Sequence, residues 1–284
     1  MMRLDDQNAD DIALKLAQIA LEAGRVLREM ECAVLEKRIK DDGSPTTAAD
    51  LAAEQLILKR LNETWADIPV VAEETASTVL PDNLFFLVDP LDGTGDYING
   101  TGEYSVNIAL VRDHRPVAAV VSAPALGTVW IAGRTALVGK IPSAAGEDIA
   151  WSKVESRAAP EQGLVALVSR RHGDETTEAC LSTLSIGTRR MTSSALKFCL
   201  IASGEADIYV RCGPTMEWDT AAGDHILCQA GGCVIGPGGS NLTYGHEDRG
   251  YLNGPFAALG DIALASRLAL PVACDTTKPV AFGR

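Results

Sequence analysis

Asp89 and Asp92 stand three residues apart in VDPLDGT, at the end of an apolar run, LFFLVD, that reads as a buried strand. Where such a strand ends, its side chains leave the core. Pro90 stiffens the turn, and Gly93 permits the backbone to fold back. Two carboxylates so spaced, with the Leu91 carbonyl exposed between them, can converge on one side of that turn. Hard cations such as Mg2+ want this arrangement: oxygen ligands only, few of them from protein, with water and phosphate filling the rest. A type I turn that uses Asp for its side-chain cap accounts for the same residues equally well. The segment alone leaves the two readings level.

Three other segments bear on the choice. Glu73 and Glu74 terminate the apolar run IPVVAEE. Asp50 follows Thr46 and Thr47 at the start of a helix, where a carboxylate also complements the helix dipole. Asp219 opens another helix in WDTAAG, where it also serves as a plain cap.

The elements that must position these acids follow from periodicity. Ile12, Leu16, Ile19, Ala23, Leu27 and Met30 recur at helical spacing, and Leu51, Leu56, Ile57 and Leu61 mark a second helix. From Tyr104 to Gly133 the pattern turns to strands, with YSVNIALVRD and RPVAAVVSAP pairing across Asp113 and His114 in an antiparallel meander. Residues 141–162 are polar and small, and the boundary between two halves, 1–140 and 163–284, is expected there. The second half alternates: GLVALVSRR a strand, Asp174 to Leu184 a helix, SSALKFCLIASG a helix, ADIYVR a strand, WDTAAGDHILCQAGG a helix, then CVIG. The mixture is α/β or α+β with sandwiched sheets.

Composition narrows the function. A net charge of −13 over 284 residues argues against a nucleic-acid polymer as partner, because polyanion binding draws on clustered Lys and Arg. It suits acids that hold cations which then hold a small phosphate. The seven cysteines include no C-x-x-C pair, so buried reduced thiols in a cytoplasmic protein are expected. The first residues, MMRLDDQNADD, are unlike a signal peptide, and no apolar run approaches the ~20 residues that span a bilayer.

VDPLDGTGDY resembles the first signature of the inositol monophosphatase-like, lithium-sensitive magnesium phosphatases, and EWDTAAGDHIL their second. GSPTTAAD and VVAEE match two shorter motifs in order and spacing, so the resemblance runs from Lys40 to about Gly260. It implies an α/β/α/β/α layered sandwich of the sugar and inositol phosphatase type. It implies two or three Mg2+ held by Glu73, Asp89, Asp92, Asp219 and the Leu91 carbonyl, with Thr94 and Asp50 orienting the attacking water. Glu73 is thereby expected to act in catalysis, and Glu73, Leu91, Asp92, Gly93, Thr94 and Asp219 to meet the substrate. Relatives carry a basic residue, Glu and Phe after D-G-T, whereas here Gly95, Asp96 and Tyr97 stand.

Within that superfamily the chain is closer to the 3′(2′),5′-bisphosphate nucleotidases. SSALKFCLIASGEADIYVRCGPTMEWDTAAG and YSVNIALV are similar to their segments. Removal of the 3′-phosphate of adenosine 3′,5′-bisphosphate, a step belonging to sulfur metabolism, is implied. So are nucleotide contacts from Ser194, Lys197 and Arg211, with His172 as a further candidate near the base. A substrate with two phosphates needs a second anion site away from the metals, and Lys197 and Arg211 precede Asp219 closely. The alternatives are an inositol monophosphatase or fructose-1,6-bisphosphatase of the same superfamily, or a non-catalytic regulatory protein of this fold. A homodimer, and a peripheral place on the cytoplasmic face of the inner membrane, are left open.

Overall fold

The computed structural model describes residues 9–31, 38–39, 45–75, 83–142, 147–170 and 173–272. His172 lies outside them, as do Cys32 and Cys274. The first half runs α1 (Ala9–Met30), β1 (Arg38–Ile39), β2 (Pro45–Thr46), α2 (Ala48–Thr64), β3 (Val70–Ala72), β4 (Leu84–Asp92) and α3 (Thr94–Ile98). It continues through β5 (Ser105–Arg112), β6 (Arg115–Ala123), β7 (Thr128–Ala132), β8 (Ala136–Lys140) and β9 (Trp151–Lys153). The second half holds β10 (Leu164–Val168), α4 (Glu175–Ser182), β11 (Ile186–Met191), α5 (Leu196–Ala202), β12 (Ile208–Arg211), β13 (Thr215–Met216) and α6 (Glu217–Gln229). It closes with β14 (Cys233–Ile235), β15 (Leu252–Asn253) and β16 (Phe256–Leu259).

Strands β3 to β9 form one seven-stranded sheet in chain order, and β11-β10-β12-β16-β14 form a five-stranded one. The meander is fixed locally. Asp113 and His114 have φ of 49° and 63°, the two left-handed residues of a tight hairpin turn, which pairs Arg112 with Arg115. Period-two alternation then sends the two faces of β4 into different cores. Phe86 and Val88 pack under α1 and α2 with Ile12, Leu16 and Ile57. Phe85 and Leu87 face α5 and α6, against Phe198, Trp218 and Ile226, which in turn meet Tyr209 and Phe256 of the second sheet. The far side of that sheet covers Ile208, Val210 and Leu259 with Leu181 of α4 and with Leu264. The layers are therefore α/β/α/β/α, as the resemblance implied. Each such side chain contributes about 1.5–3 kcal/mol on burial.

Helix α6 occupies the middle layer, and its small residues suit it to that place. Ala221, Ala222 and Gly223 are buried, and a Cβ on Gly223 would lie 2.5 Å from the Phe198 ring. Its one buried acid beyond the first turn, Asp224, is compensated. Arg115 donates to both of its oxygens at 2.8 and 3.2 Å, and the Tyr244 hydroxyl donates at 2.8 Å. No disulfide occurs among the described cysteines; Cys180 and Cys199 are buried, while Cys212, Cys228 and Cys233 are partly so.

His225, also on α6, yields a pH prediction. Its Nε2–H donates to the Gly133 carbonyl at 2.9 Å, and burial pulls its pKa down to about 4. The unfolded chain binds the proton near pH 6.5, so between there and pH 4 it takes up a proton that the folded chain refuses. Stability is therefore present above pH 6.5 and drains as pH falls, by up to about 3 kcal/mol. His225→Gln should flatten the dependence of the denaturation midpoint on pH across that window. Superimposable wild-type and variant profiles would remove the claim.

Candidate active site

In a regular strand, residues three apart point to opposite faces, which would separate Asp89 from Asp92. The register prevents this. Asp89 pairs with Asn107 and Asp92 with Ser105, so β4 carries one extra residue in a bulge at Pro90 and Leu91. That extra residue turns both acids to the same side. Proline is tolerated because a bulge frees the backbone from the ladder. Asp219 arrives from the first turn of α6, and carboxylate oxygens of Asp89, Asp92 and Asp219 all lie within 4.8 Å of one another.

Each of these acids uses one oxygen to be held. Asp89 Oδ1 accepts from Leu91 N at 3.0 Å. Asp92 Oδ2 accepts from Ala195 N at 2.6 Å and from Asn107 Nδ2 at 3.2 Å. Asp219 Oδ2 accepts from Thr215 Oγ1 at 2.6 Å and Met216 N at 3.0 Å. In Asp92 and Asp219 these bonds fall on Oδ2 alone, while the Asp89 carboxyl is also hydrogen-bonded to Glu73. Such a set of oxygens, fixed from behind, fits a hard divalent cation. The charges also call for one. Burial and the neighbouring Glu73, Asp92 and Asp219 hold the Asp89 carboxyl well above the usual carboxylate range. Burial, followed by Asp219, pushes Asp92 up to about 6. Glu73 lies beside Asp89 in the same cleft, though outside the three-acid group.

Asp50 sits behind this cluster at the third residue of α2. Its Oδ2 accepts from Thr47 N at 2.8 Å and Thr47 Oγ1 at 2.6 Å, which closes a capping box. Its Oδ1 accepts from Thr94 Oγ1 at 2.9 Å, and the Leu91 carbonyl lies 3.1 Å from that same hydroxyl. Asp50 thus caps its helix and also orients Thr94. Burial raises its pKa.

A cleft of about 580 Å³ opens over these groups. Among the expected residues, Glu73, Asp89, Leu91, Asp92, Gly93 and Thr94 line it from the first half. Ser194, Lys197, Arg211 and Asp219 line it from the second. Lys197 is buried; its Nζ donates to the Ser194 carbonyl at 3.1 Å and lies 4.8 Å from the centre of the Tyr209 ring. Arg211 Nη2 donates to the Pro214 carbonyl at 2.5 Å, while its Nε is buried without a hydrogen-bond partner among the described residues. Gly93, at φ 93°, is required twice over. A Cβ there would lie 2.4 Å from Ser194 Oγ, in a backbone conformation that side chains avoid.

Several contributors escaped the sequence reading. Asn107 was visible only as a polar residue inside the apolar strand YSVNIALV, and Thr215 only as a hydroxyl four positions before Asp219. Ser169 and Arg170, at the end of β10, also line the cleft. They stand in the SRRH stretch just before His172.

Residues 5–267 match the inositol monophosphatase family. The 3′(2′),5′-bisphosphate nucleotidase CysQ of Salmonella typhimurium is 37% identical over 235 residues, covering 81% of this chain and 92% of that protein. The CysQ of Buchnera aphidicola is 34% identical over 250 residues, covering 86% and 92%. Among solved structures, CysQ from Bacteroides thetaiotaomicron superposes with a TM-score of 0.74 at 32% identity, covering 88% of this chain and 97% of that one. The Thermotoga maritima IMPase, at 20% identity and a TM-score of 0.72, shares the fold over 88% of this chain and 92% of its own.

Proposed function

The chain belongs to the inositol monophosphatase family, and on that premise we propose that its cleft removes the 3′-phosphate of adenosine 3′,5′-bisphosphate, giving AMP and phosphate. The protein is then a 3′(2′),5′-bisphosphate nucleotidase, as its CysQ relatives are named. One observation carries the reading: a single cleft joins three converging acids to two cations, Lys197 and Arg211.

Two or three Mg2+ ions held by Glu73, Asp89, the Leu91 carbonyl, Asp92 and Asp219 would neutralise the phosphate and supply a nucleophile at neutral pH. Thr94 would orient the attacking water and pass its proton towards Asp50, whose other oxygen is fixed on Thr47. Gly93, having no side chain, lets the phosphate approach the backbone. Lys197 and Arg211, with Ser194, take the second phosphate, Arg211 through the guanidinium by which it lines the cleft. Residues 1–140 then carry the metal-site loops and residues 163–284 most of the substrate contacts, as two halves of one unit. Li+ would inhibit by competing for a magnesium position, as the family resemblance implies. No helix among the described residues is long and apolar enough to cross a membrane, and the free thiols suit a cytoplasmic enzyme.

A phosphate-release panel tests the assignment. Charge-assisted hydrogen bonds to the second phosphate contribute about 1.5–3 kcal/mol each. With Mg2+, kcat/KM for adenosine 3′,5′-bisphosphate should therefore exceed that for inositol 1-phosphate by about tenfold or more. Fructose 1,6-bisphosphate, with a second phosphate but no base, should fall between. Equal or reversed values would sink the nucleotide reading.

A further inference from the structure

The turn that presents Ser194 and leads to Lys197 is held largely from the other half of the chain, beyond the bond from Lys197 to the Ser194 carbonyl. Ser194 has φ 62°, a left-handed conformation unusual for a residue with a side chain, and such a residue persists only where its surroundings over-determine it. Here the surroundings are three acidic residues from the first half. Ser193 N donates to Glu103 Oε2 at 3.0 Å, and Ser193 Oγ donates to Asp96 Oδ2 at 2.7 Å. Ser194 Oγ donates to the Asp92 carbonyl at 2.8 Å, with the Glu103 carbonyl at 3.4 Å, and Ala195 N donates to Asp92 Oδ2.

Glu103 does more than accept from this turn. Its other oxygen, Oε1, accepts from Arg170 Nη2 at 2.7 Å, and Arg170 Nη1 lies 3.9 Å from Asp96 Oδ1. One carboxylate thus fastens both second-half segments that flank the cleft: the end of β10 with Arg170, and the turn before α5. Asp96 fastens the turn a second time.

We propose that Glu103, together with Asp96, is a positioning residue for substrate binding: the two acids clamp Ser193 so that Ser194 and Lys197 stand where a second anionic group can meet them. Neither acid need touch the substrate. This deepens the nucleotidase reading and rests on it. The physical content is that the main-chain N–H and the hydroxyl of Ser193 need acceptors at fixed points. Losing one lets the strained turn relax into a commoner conformation and withdraws the groups it carries.

Steady-state kinetics with adenosine 3′,5′-bisphosphate test this in the Mg2+-loaded enzyme. Glu103→Ala should raise KM about tenfold or more while kcat changes by less than about threefold, because the acids of the metal cluster keep their other partners. Glu103→Gln retains an oxygen for Ser193 N but gives up the Arg170 ion pair, and should recover part of that loss. Ser193→Ala, the mildest change, should raise KM several-fold, and it decides the matter if Glu103→Ala fails to fold. An unchanged KM in both Glu103→Ala and Ser193→Ala would overturn the proposal. So would equal losses in the Ala and Gln variants that track a fallen melting temperature, since those mark mere structural damage. The wild type in the same assay separates the two claims. If it ignores adenosine 3′,5′-bisphosphate, the nucleotidase reading fails by itself, and the same KM comparison on whichever phosphomonoester it does hydrolyse decides the positioning role.

Discussion

Asp219→Asn is expected to lower turnover by about 10³-fold or more, beyond the 10–100-fold typical of losing a supporting partner of a metal ligand, while leaving the protein folded. The substitution separates two tasks of one side chain. The oxygen that accepts from Thr215 and from Met216 N survives in an asparagine, so the first turn of α6 keeps its cap. The oxygen turned towards Asp89 and Asp92 becomes an NH2 group, which repels a cation and donates to the neighbouring carboxylates. The metal-free variant should therefore melt no lower than the metal-free wild type, and somewhat higher if the mutual repulsion of these acids is as strong as their raised pKa values require. Asp92→Asn is expected to behave alike. Near-normal turnover alongside a normal melting curve would end the metal reading of this cleft.

Chelation followed by magnesium titration gives the second large effect. Wild-type protein treated with a chelator should lose its phosphate release and regain it on adding Mg2+. Its melting temperature should climb with Mg2+ concentration, because an ion that binds only the folded chain stabilises it by about 2.7 kcal/mol at a hundredfold excess over Kd. At about 2–4 °C per kcal/mol for proteins near this size, the rise is roughly 5–10 °C. Asp219→Asn should show little of it. The pairing of the two readouts matters. A melting temperature that ignores Mg2+ in the wild type would mean that the three acids hold no ion, whatever the activity does.

Much of the fold was open to reading because its elements are locally encoded. The hairpin at Asp113 and His114, the long amphipathic α1 and the buried β4 each carry their pattern within a dozen or so residues. Strands that exist only through distant partners were not read. In β11, the run IGTRRM is largely exposed and partly charged, and it becomes a strand because β10 offers an edge beside it. FAAL of β16 is too short to alternate, and it is fixed by pairing with both β12 and β14. Trp151–Lys153 falls inside the polar stretch 141–162, yet it adds an edge strand to the first sheet through β8.

The candidate site divides in the same way. The sequence by itself determined which residues are able to do chemistry: acids where apolar strands stop, Gly93 in the turn, Thr94 after it, and the cations that precede Asp219. It determined as well that Asp50 heads a helix, since a capping box is a matter of four consecutive residues. Only the tertiary structure decided that Asp89 and Asp92 face the same way, because that depends on a bulge in the pairing of β4 with β5. It alone decided that Asp219 joins them and that Glu103 and Asp96 grip Ser193 across the cleft. The reason is range. Backbone preferences act over a few residues, whereas a carboxylate's partners are chosen by whichever chain segments the packed layers bring to within 3 Å, and no local pattern records that choice.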